Sequence, residues 1–307
     1  HDNKFSSNLF TLLLNILLHF PFFNVKMCIK FTKREIVMKK ILGILGLVAC
    51  LTLGTVGCNS NEDKKDDGKQ EKTTKSSDSV ELNISAAASL KEAMAKIEEE
   101  YKKVDSNVKL TVNYGASGSL QQQIEQGAPC DLFISAGQKQ MKALDEEKLL
   151  VSDTMKDLVK NDLVLISSAD SSVSGMKDLT TDKVKKIAVG EAESVPAGKY
   201  ADEVLTNLNL KDKLKDKLVF AKDVKEVLAW VQSGNADVGF VYFSDTVNND
   251  KIKVVEKTDE KTHSPITYPV SVIKASKNVD AAKKFEEFLL SESGQKIFEE
   301  FGYKKVE

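Results

Sequence analysis

Leu82-Asn83-Ile84-Ser85-Ala86-Ala87-Ala88-Ser89-Leu90-Lys91-Glu92-Ala93-Met94, running on to Glu100, decides how this chain folds. Its first part alternates apolar and small residues and then becomes wholly small, the pattern of a buried strand entering a turn at Ser89. A helix is expected next, because Ser89 and Glu92 have capping-box spacing and Leu90, Met94, Ile97 and Tyr101 share one helical face. A helix start presents unpaired N–H groups and the positive end of the peptide dipoles, so a serine hydroxyl beside it makes a small oxyanion site. One such junction is weak, but the chain repeats it.

Downstream, residues 108–113 read as a second strand. The run Tyr114-Gly115-Ala116-Ser117-Gly118-Ser119 then leads into a helix at 120–126, followed by a strand at 131–135 and a helix at 138–147. This rhythm predicts a parallel sheet covered on both faces. A second block follows. Strands are expected at 162–167 and 186–189. A loop from Gly190 reaches Val195-Pro196-Ala197-Gly198 and opens a helix at 197–208. The charged run 211–217 reads as a solvated face. A strand at 218–221 precedes a second capping box, Asp223-Val224-Lys225-Glu226, which starts a helix at 224–232 that carries Trp230. Strands at 237–242 and 252–256, an extended segment at 267–274 and helices at 279–290 and 294–301 complete the chain. The chain leaves the first block near Lys160 and returns near Val270. The expected architecture is therefore an α/β protein of two lobes joined by two crossover strands, with 81–160 and 272–307 in lobe 1 and 161–271 in lobe 2. Ligands of such sheets sit at carboxyl ends of strands, against helix N-termini.

The front of the chain reads differently. Met38-Lys39-Lys40 is a basic start, 41–56 an apolar run and Gly57-Cys58 a small residue before cysteine, the outline of a secretory signal at 38–57. The apolar run is shorter than the ~20 residues that span a bilayer and is broken by glycine and threonine, although an uncleaved anchor helix is the competing reading. Residues 1–37, with a second apolar run at 9–23, are expected to be an upstream or non-native extension. The signal's end resembles a lipobox, which makes Cys58 the expected lipidation site, with Cys50 as a locally similar alternative. Residues 58–80 carry almost nothing apolar and read as a disordered tether to the lipid.

From Cys58 onward the chain carries 37 lysines, no arginine and 44 carboxylates, a formal charge of −7. Nucleic acid is not an expected partner, and no guanidinium fork is available to hold an anion. Only Cys58 and Cys130 remain there, so no disulfide framework is expected, and Cys130 reads as a small core residue. With one histidine, His263, metal-ligand spacing is absent, as is any G-x-x-x-x-G-K phosphate loop.

Ser89, Ser117 or Ser119, the Pro196-Ala197 turn and Asp223-Val224 all fall where a strand ends and a helix begins, and Tyr242 ends a strand with its hydroxyl free to enter the same cleft. Pro196 suits the first helical turn, where its missing N–H costs nothing. Each feature alone reads more simply as a cap or turn. Together they offer hydroxyl and amide donors without formal positive charge, enough to hold a dianionic tetrahedral guest.

Several runs carry a family resemblance: Ala86-Ala87-Ala88-Ser89-Leu90; Gly127-Ala128-Pro129 with Asp131-Leu132-Phe133-Ile134-Ser135-Ala136; Val189-Gly190 with Val195-Pro196-Ala197-Gly198; and Gly239-Phe240-Val241-Tyr242 with Ser244-Asp245. From about Glu81 to Phe301 the chain resembles the molybdate-binding proteins of bacterial ABC importers. The resemblance implies the type II periplasmic-binding-protein fold and a monomeric receptor for molybdate or tungstate, with no cofactor and no protein–metal bond. It also implies permease and ATPase partners and an extracytoplasmic, lipid-anchored location. By motif position the ligand residues would be Ser89, Ser117, Ala197, Val224 and Tyr242, with Ser119 as the alternative to Ser117. Cys130 and Phe243 stand where smaller residues are common and should not touch the ligand. A sulfate or phosphate receptor of the same fold is the nearer rival, with Asp223 the one carboxylate beside the site. A serine hydrolase is the distant one, since Gly115-Ala116-Ser117-Gly118-Ser119 lacks the last glycine of the G-x-S-x-G elbow.

Overall fold

The computed structural model describes residues 79–307. The proposed extension, signal segment, Cys58 and nearly all of the tether lie outside the described residues. The tether reading runs slightly too far, because Val80 already belongs to strand β1 (Val80–Ala87), paired with Val108 of β2 (Val108–Gly115).

Lobe 1 is a five-stranded sheet. Between β1 and β2 runs helix α1 (Lys91–Val104); α2 (Ser117–Glu125) leads to β3 (Leu132–Ile134), and α3 (Gln138–Glu146) to β4 (Lys156–Lys160). Lobe 2 begins with β5 (Leu163–Ser168) and β6 (Ile187–Gly190), then α4 (Pro196–Asn207), the short α5 (Lys211–Leu214), β7 (Leu218–Ala221) and α6 (Val224–Gln232). It ends with β8 (Val238–Tyr242) and β9 (Ile252–Lys257). The chain then returns as β10 (Thr267–Val272) and closes with α7 (Val279–Leu290) and α8 (Glu292–Glu300). The strand orders are β2-β1-β3-β10-β4 and β7-β6-β8-β5-β9.

The sheets are mixed rather than wholly parallel. β1 runs parallel to β2 and β3, and β6 to β7 and β8, but β10 is antiparallel to β3 and β4, and β5 is antiparallel to β8 and β9. The exceptions are the strands next to the crossings. Each enters its sheet from the other lobe without an intervening helix, so nothing turns it to run with its neighbours. β10 pairs with β3 and β4 along its length, so the return to lobe 1 is complete by Thr267, not at residue 272. β4 escapes sequence reading because Lys-Asp-Leu-Val-Lys holds only two apolar residues, both buried, on a strand at the edge of its sheet. The run 211–217 is mostly exposed, as expected, yet forms a helical turn that sinks Leu214 fully into the core.

The sheet cores are built from the residues that made the strands legible. Leu82, Ile84, Leu132 and Ile134 in lobe 1, and Leu163 to Ile166, Val238 and Phe240 in lobe 2, are at most 1% exposed. Cys130 is a free, buried thiol whose S–H meets the Leu132 carbonyl at 3.3 Å.

Candidate functional site

Register brings the strand ends together. Ala87 pairs with Gly115 at the last position of the β1–β2 ladder, so Ser89 and Ser117, each two residues further on, emerge side by side. In lobe 2, Gly190 pairs with Ala221 and Ala188 with Gly239, so the chain turns into α4, α6 and the end of β8 at one edge. Gly198 is required here, because a Cβ on it would stand 2.1 Å from the Gly190 carbonyl oxygen. Only glycine lets the first turn of α4 sit on the end of β6.

These two edges face each other across a small cavity. From lobe 1 it is lined by Ala87, Ala88, Ser89, Gly115, Ala116, Ser117 and Ala136; from lobe 2 by Val195, Pro196, Ala197, Asp223, Val224 and Tyr242. All five predicted ligand residues therefore line one space. Ser119 does not line it, and neither do Phe243 and Cys130.

The local structure matches the sequence reading unevenly. Pro196 is the first residue of α4, as its fixed φ favours, and the Asp223 carboxylate caps α6 by accepting the Glu226 N–H at 2.9 Å. Glu226 reaches back to the Lys222 N–H rather than to Asp223, so the predicted box is displaced by one residue. Ser89 is no cap at all. It lies inside a 3-10 turn, Ala88–Leu90, and its hydroxyl meets the Tyr268 hydroxyl at 2.9 Å. Glu92, the expected second half of that box, crosses the cleft to Lys225 at 2.6 Å. The physical reason is that Ser89 is 3% exposed beside a buried phenol, and its one hydroxyl serves that partner instead of a backbone amide.

The site is electrically neutral in its donors. Among the described residues no lysine lines the cavity, and Arg34, the single arginine, is far from these residues in sequence. Lys225, next to Val224, is held by Asp245 at 2.8 Å as well as by Glu92. Burial works against its charge, but the two carboxylates outweigh burial and raise its pKa above the lysine value, so it stays an ammonium committed to them. The remaining donors are hydroxyls and the first amides of α2, α4 and α6, which precede the intrahelical ladder. Tyr242 is 1% exposed, and its hydroxyl has no hydrogen-bond partner among the described residues. Burial lifts the pKa values of Tyr242 and Tyr268 well above the tyrosine value, so both phenols keep their protons. An unpartnered buried hydroxyl on a residue that lines a cavity is a donor awaiting an acceptor.

The lobes meet around the cavity. The Gly118 N–H donates to the Ser194 carbonyl at 2.9 Å, and a side chain on Gly118 would clash with Ser194 backbone atoms at 2.7 Å. His263 is bound to Thr258 Oγ1 at 3.0 Å and to the Ser264 carbonyl at 2.8 Å, and does not line the cavity. Among the described residues no cluster of acidic, histidine and cysteine side chains could hold a metal ion. Sequence reading missed Tyr268, Asn161 and the Glu92–Lys225 pair, whose partners are too distant in sequence to leave a local signal.

Two mixed α/β lobes, two crossings and a small gap at opposed helix starts define a two-lobed solute-binding protein of the type II periplasmic-binding-protein fold. The chain belongs to the bacterial extracellular solute-binding protein family, whose profile matches residues 82–304. It is 41% identical over 260 residues to YvgL of Bacillus subtilis, covering 83% of this chain and 96% of that protein, whose name provisionally assigns it as an ABC transporter substrate-binding lipoprotein. It is 37% identical over 230 residues to the molybdate-binding protein ModA of Haemophilus influenzae, covering 73% of this chain and 90% of that one. The solved periplasmic molybdate-binding protein of Azotobacter vinelandii superposes with a TM-score of 0.69 at 23% identity, covering 74% of this chain and all of that one.

Proposed function

We propose that this protein is the extracytoplasmic receptor of an ABC importer and binds molybdate or tungstate in the cavity between its lobes. One observation carries the reading: the cavity is closed by both lobes and lined by hydroxyls and helix-start amides, with the Lys225 ammonium beside Val224 already paired with two carboxylates. A dianion taken from water needs its shell replaced by fixed dipoles, and donors from two rigid lobes supply them without reorganisation. The names of the relatives add the particular anion. Ser89, Ser117 and Tyr242 would donate through hydroxyls, Ala197 and Val224 through backbone amides. Lipidation at Cys58 would keep the receptor at the membrane, where a permease driven by a separate ATPase takes the anion.

Sulfate is the nearest competitor, since it too accepts at every oxygen. Phosphate carries a proton near neutral pH and would need an acceptor. Asp223 is the one carboxylate on the cavity wall, and one of its oxygens is engaged by Glu226. Titration calorimetry of the purified protein with molybdate, tungstate, sulfate and phosphate tests the reading. Tight binding of the first two alone is expected; tight binding of phosphate or sulfate instead would reassign the substrate, and silence from all four would remove the oxyanion.

A further inference from the structure

We infer that Asn161 and Tyr268 are positioning residues that force the Ser89 hydroxyl to aim its proton into the cavity. The inference rests on reading the cavity as an oxyanion site, and follows from tracing protons along a chain of buried groups.

Asn161 lies on the crossing between β4 and β5 and is 6% exposed. Its Oδ1 accepts two backbone N–H groups, Asp162 at 2.9 Å and Ser244 at 3.4 Å. That fixes which way the amide points, because an NH₂ group facing two N–H donors would be repelled. The nitrogen therefore faces Ser244 Oγ at 2.8 Å and the Tyr268 hydroxyl at 3.4 Å, donating to both. Tyr268 is fully buried and keeps its proton. With its oxygen receiving from Asn161, we assign its single O–H to Ser89 Oγ at 2.9 Å, a contact in which the geometry lets either hydroxyl donate. The backbone at Ser89 is held as well, its carbonyl accepting from the Tyr303 hydroxyl at 2.9 Å. Having accepted from Tyr268, the Ser89 hydroxyl has one proton left and the cavity before it.

The direction of donation thus runs Asn161 to Tyr268 to Ser89 to guest, and each link polarises the next in a dry setting. Ser117 is treated in the same way by a shorter route: its Oγ accepts the Ala136 N–H at 2.9 Å, which leaves its proton for the cavity too. The relay makes Ser89 a donor by construction, so an oxyanion that presents its own proton there meets another proton.

A pair of double-variant cycles read by molybdate titration tests this. Tyr268→Phe removes the link and is expected to weaken molybdate binding about tenfold. Asn161→Asp replaces a donor by an acceptor; Tyr268 then donates backward, Ser89 follows, and lone pairs face the anion, for a loss of about a hundredfold or more. Without the phenol the reversed signal has no path, so the double variant should bind more tightly than Asn161→Asp alone. If the two losses multiply instead, the Asn161 effect is one of charge and the relay is overturned. Thermal melts report whether each variant folds. Should Asn161→Asp fail, the cycle of Tyr268→Phe with Ser89→Ala decides: the relay requires that Tyr268→Phe have no effect once the Ser89 hydroxyl is gone, and an undiminished loss refutes it. Absence of molybdate binding by the unaltered protein would overturn the oxyanion reading and the relay with it, whereas binding with multiplicative cycles overturns the relay alone.

Discussion

Tyr242 is costly for the empty protein and useful to the filled one. A buried hydroxyl without a partner forfeits about 1–3 kcal/mol, and a hydrogen bond from it to a charged guest returns about 1.5–3 kcal/mol. Tyr242→Phe should therefore weaken molybdate binding by about 1.5–3 kcal/mol in calorimetry while leaving the melting temperature of the ligand-free protein equal or higher. A merely structural tyrosine would lower stability and leave affinity alone. Glu286, on α7, also has an unmet need. It is 2% exposed, one carboxyl oxygen has no hydrogen-bond partner, and burial pushes its pKa up to about 7. Lys156 and Lys283 oppose that shift and Glu287 adds to it. A carboxyl whose folded pKa is raised favours the native state below its unfolded pKa, and that favour is lost as pH rises through the folded value. Stability should therefore fall between about pH 4.5 and 7 on this account. Glu286→Gln should remove that slope and exceed the parent by roughly 1–3 kcal/mol at pH 8, with the two converging near pH 4 in denaturant melts.

Among elements, α1 and α6 matter most to closure, because the first turn of each bears one half of an ion pair that spans the cleft. Glu92 meets Lys225 at 2.6 Å, and Lys225 is at the same time seated on Asp245, whose carboxylate also accepts the Tyr242 N–H at 3.2 Å. The pair is half exposed on the Glu92 side, so its worth is that of a surface bridge, about 0.2–1 kcal/mol. Glu92→Gln should speed anion release about two- to fivefold in stopped-flow exchange with little change in the association rate. Raising the salt should erase the difference between parent and variant. Equal release rates at low salt would show that the lobes are held by the guest and by the Gly118–Ser194 contact alone. The same elements show why some of the fold is legible and some is not. Helices at 224–232 and 279–290 and the strand at 218–221 coincide with their sequence expectations, because a cap or a run of apolar residues marks each. The capping box read at Ser89 fails because Tyr268, 179 residues away, is the better partner for the same hydroxyl.

For the molecule as a whole, the guest and closure are linked. A ligand held only where both lobes meet binds the native state and not the unfolded one, so anion at a hundred times its dissociation constant should add about 2.7 kcal/mol of stability. Molybdate or tungstate should raise the melting temperature, and sulfate at the same concentration should not. Trp230, half-buried on α6, should report closure as a change in emission that saturates with the same midpoint. A shift in melting temperature without an optical change would place the anion on one lobe rather than between two.

The sequence by itself determined the alternation of strands and helices, the two lobes, and the small residues and prolines at the joints where helix starts stay open, since these depend on neighbours a few positions apart. It also determined that no arginine stands from Cys58 onward, so that no guanidinium fork serves the site. Tertiary structure alone decided the direction of the strands beside the crossings, the partner of Glu92, and which hydroxyls keep a proton for the guest. Those outcomes depend on buried groups that must satisfy one another across more than a hundred residues of chain. Each has several acceptable partners until packing leaves it one, and no local pattern records that choice.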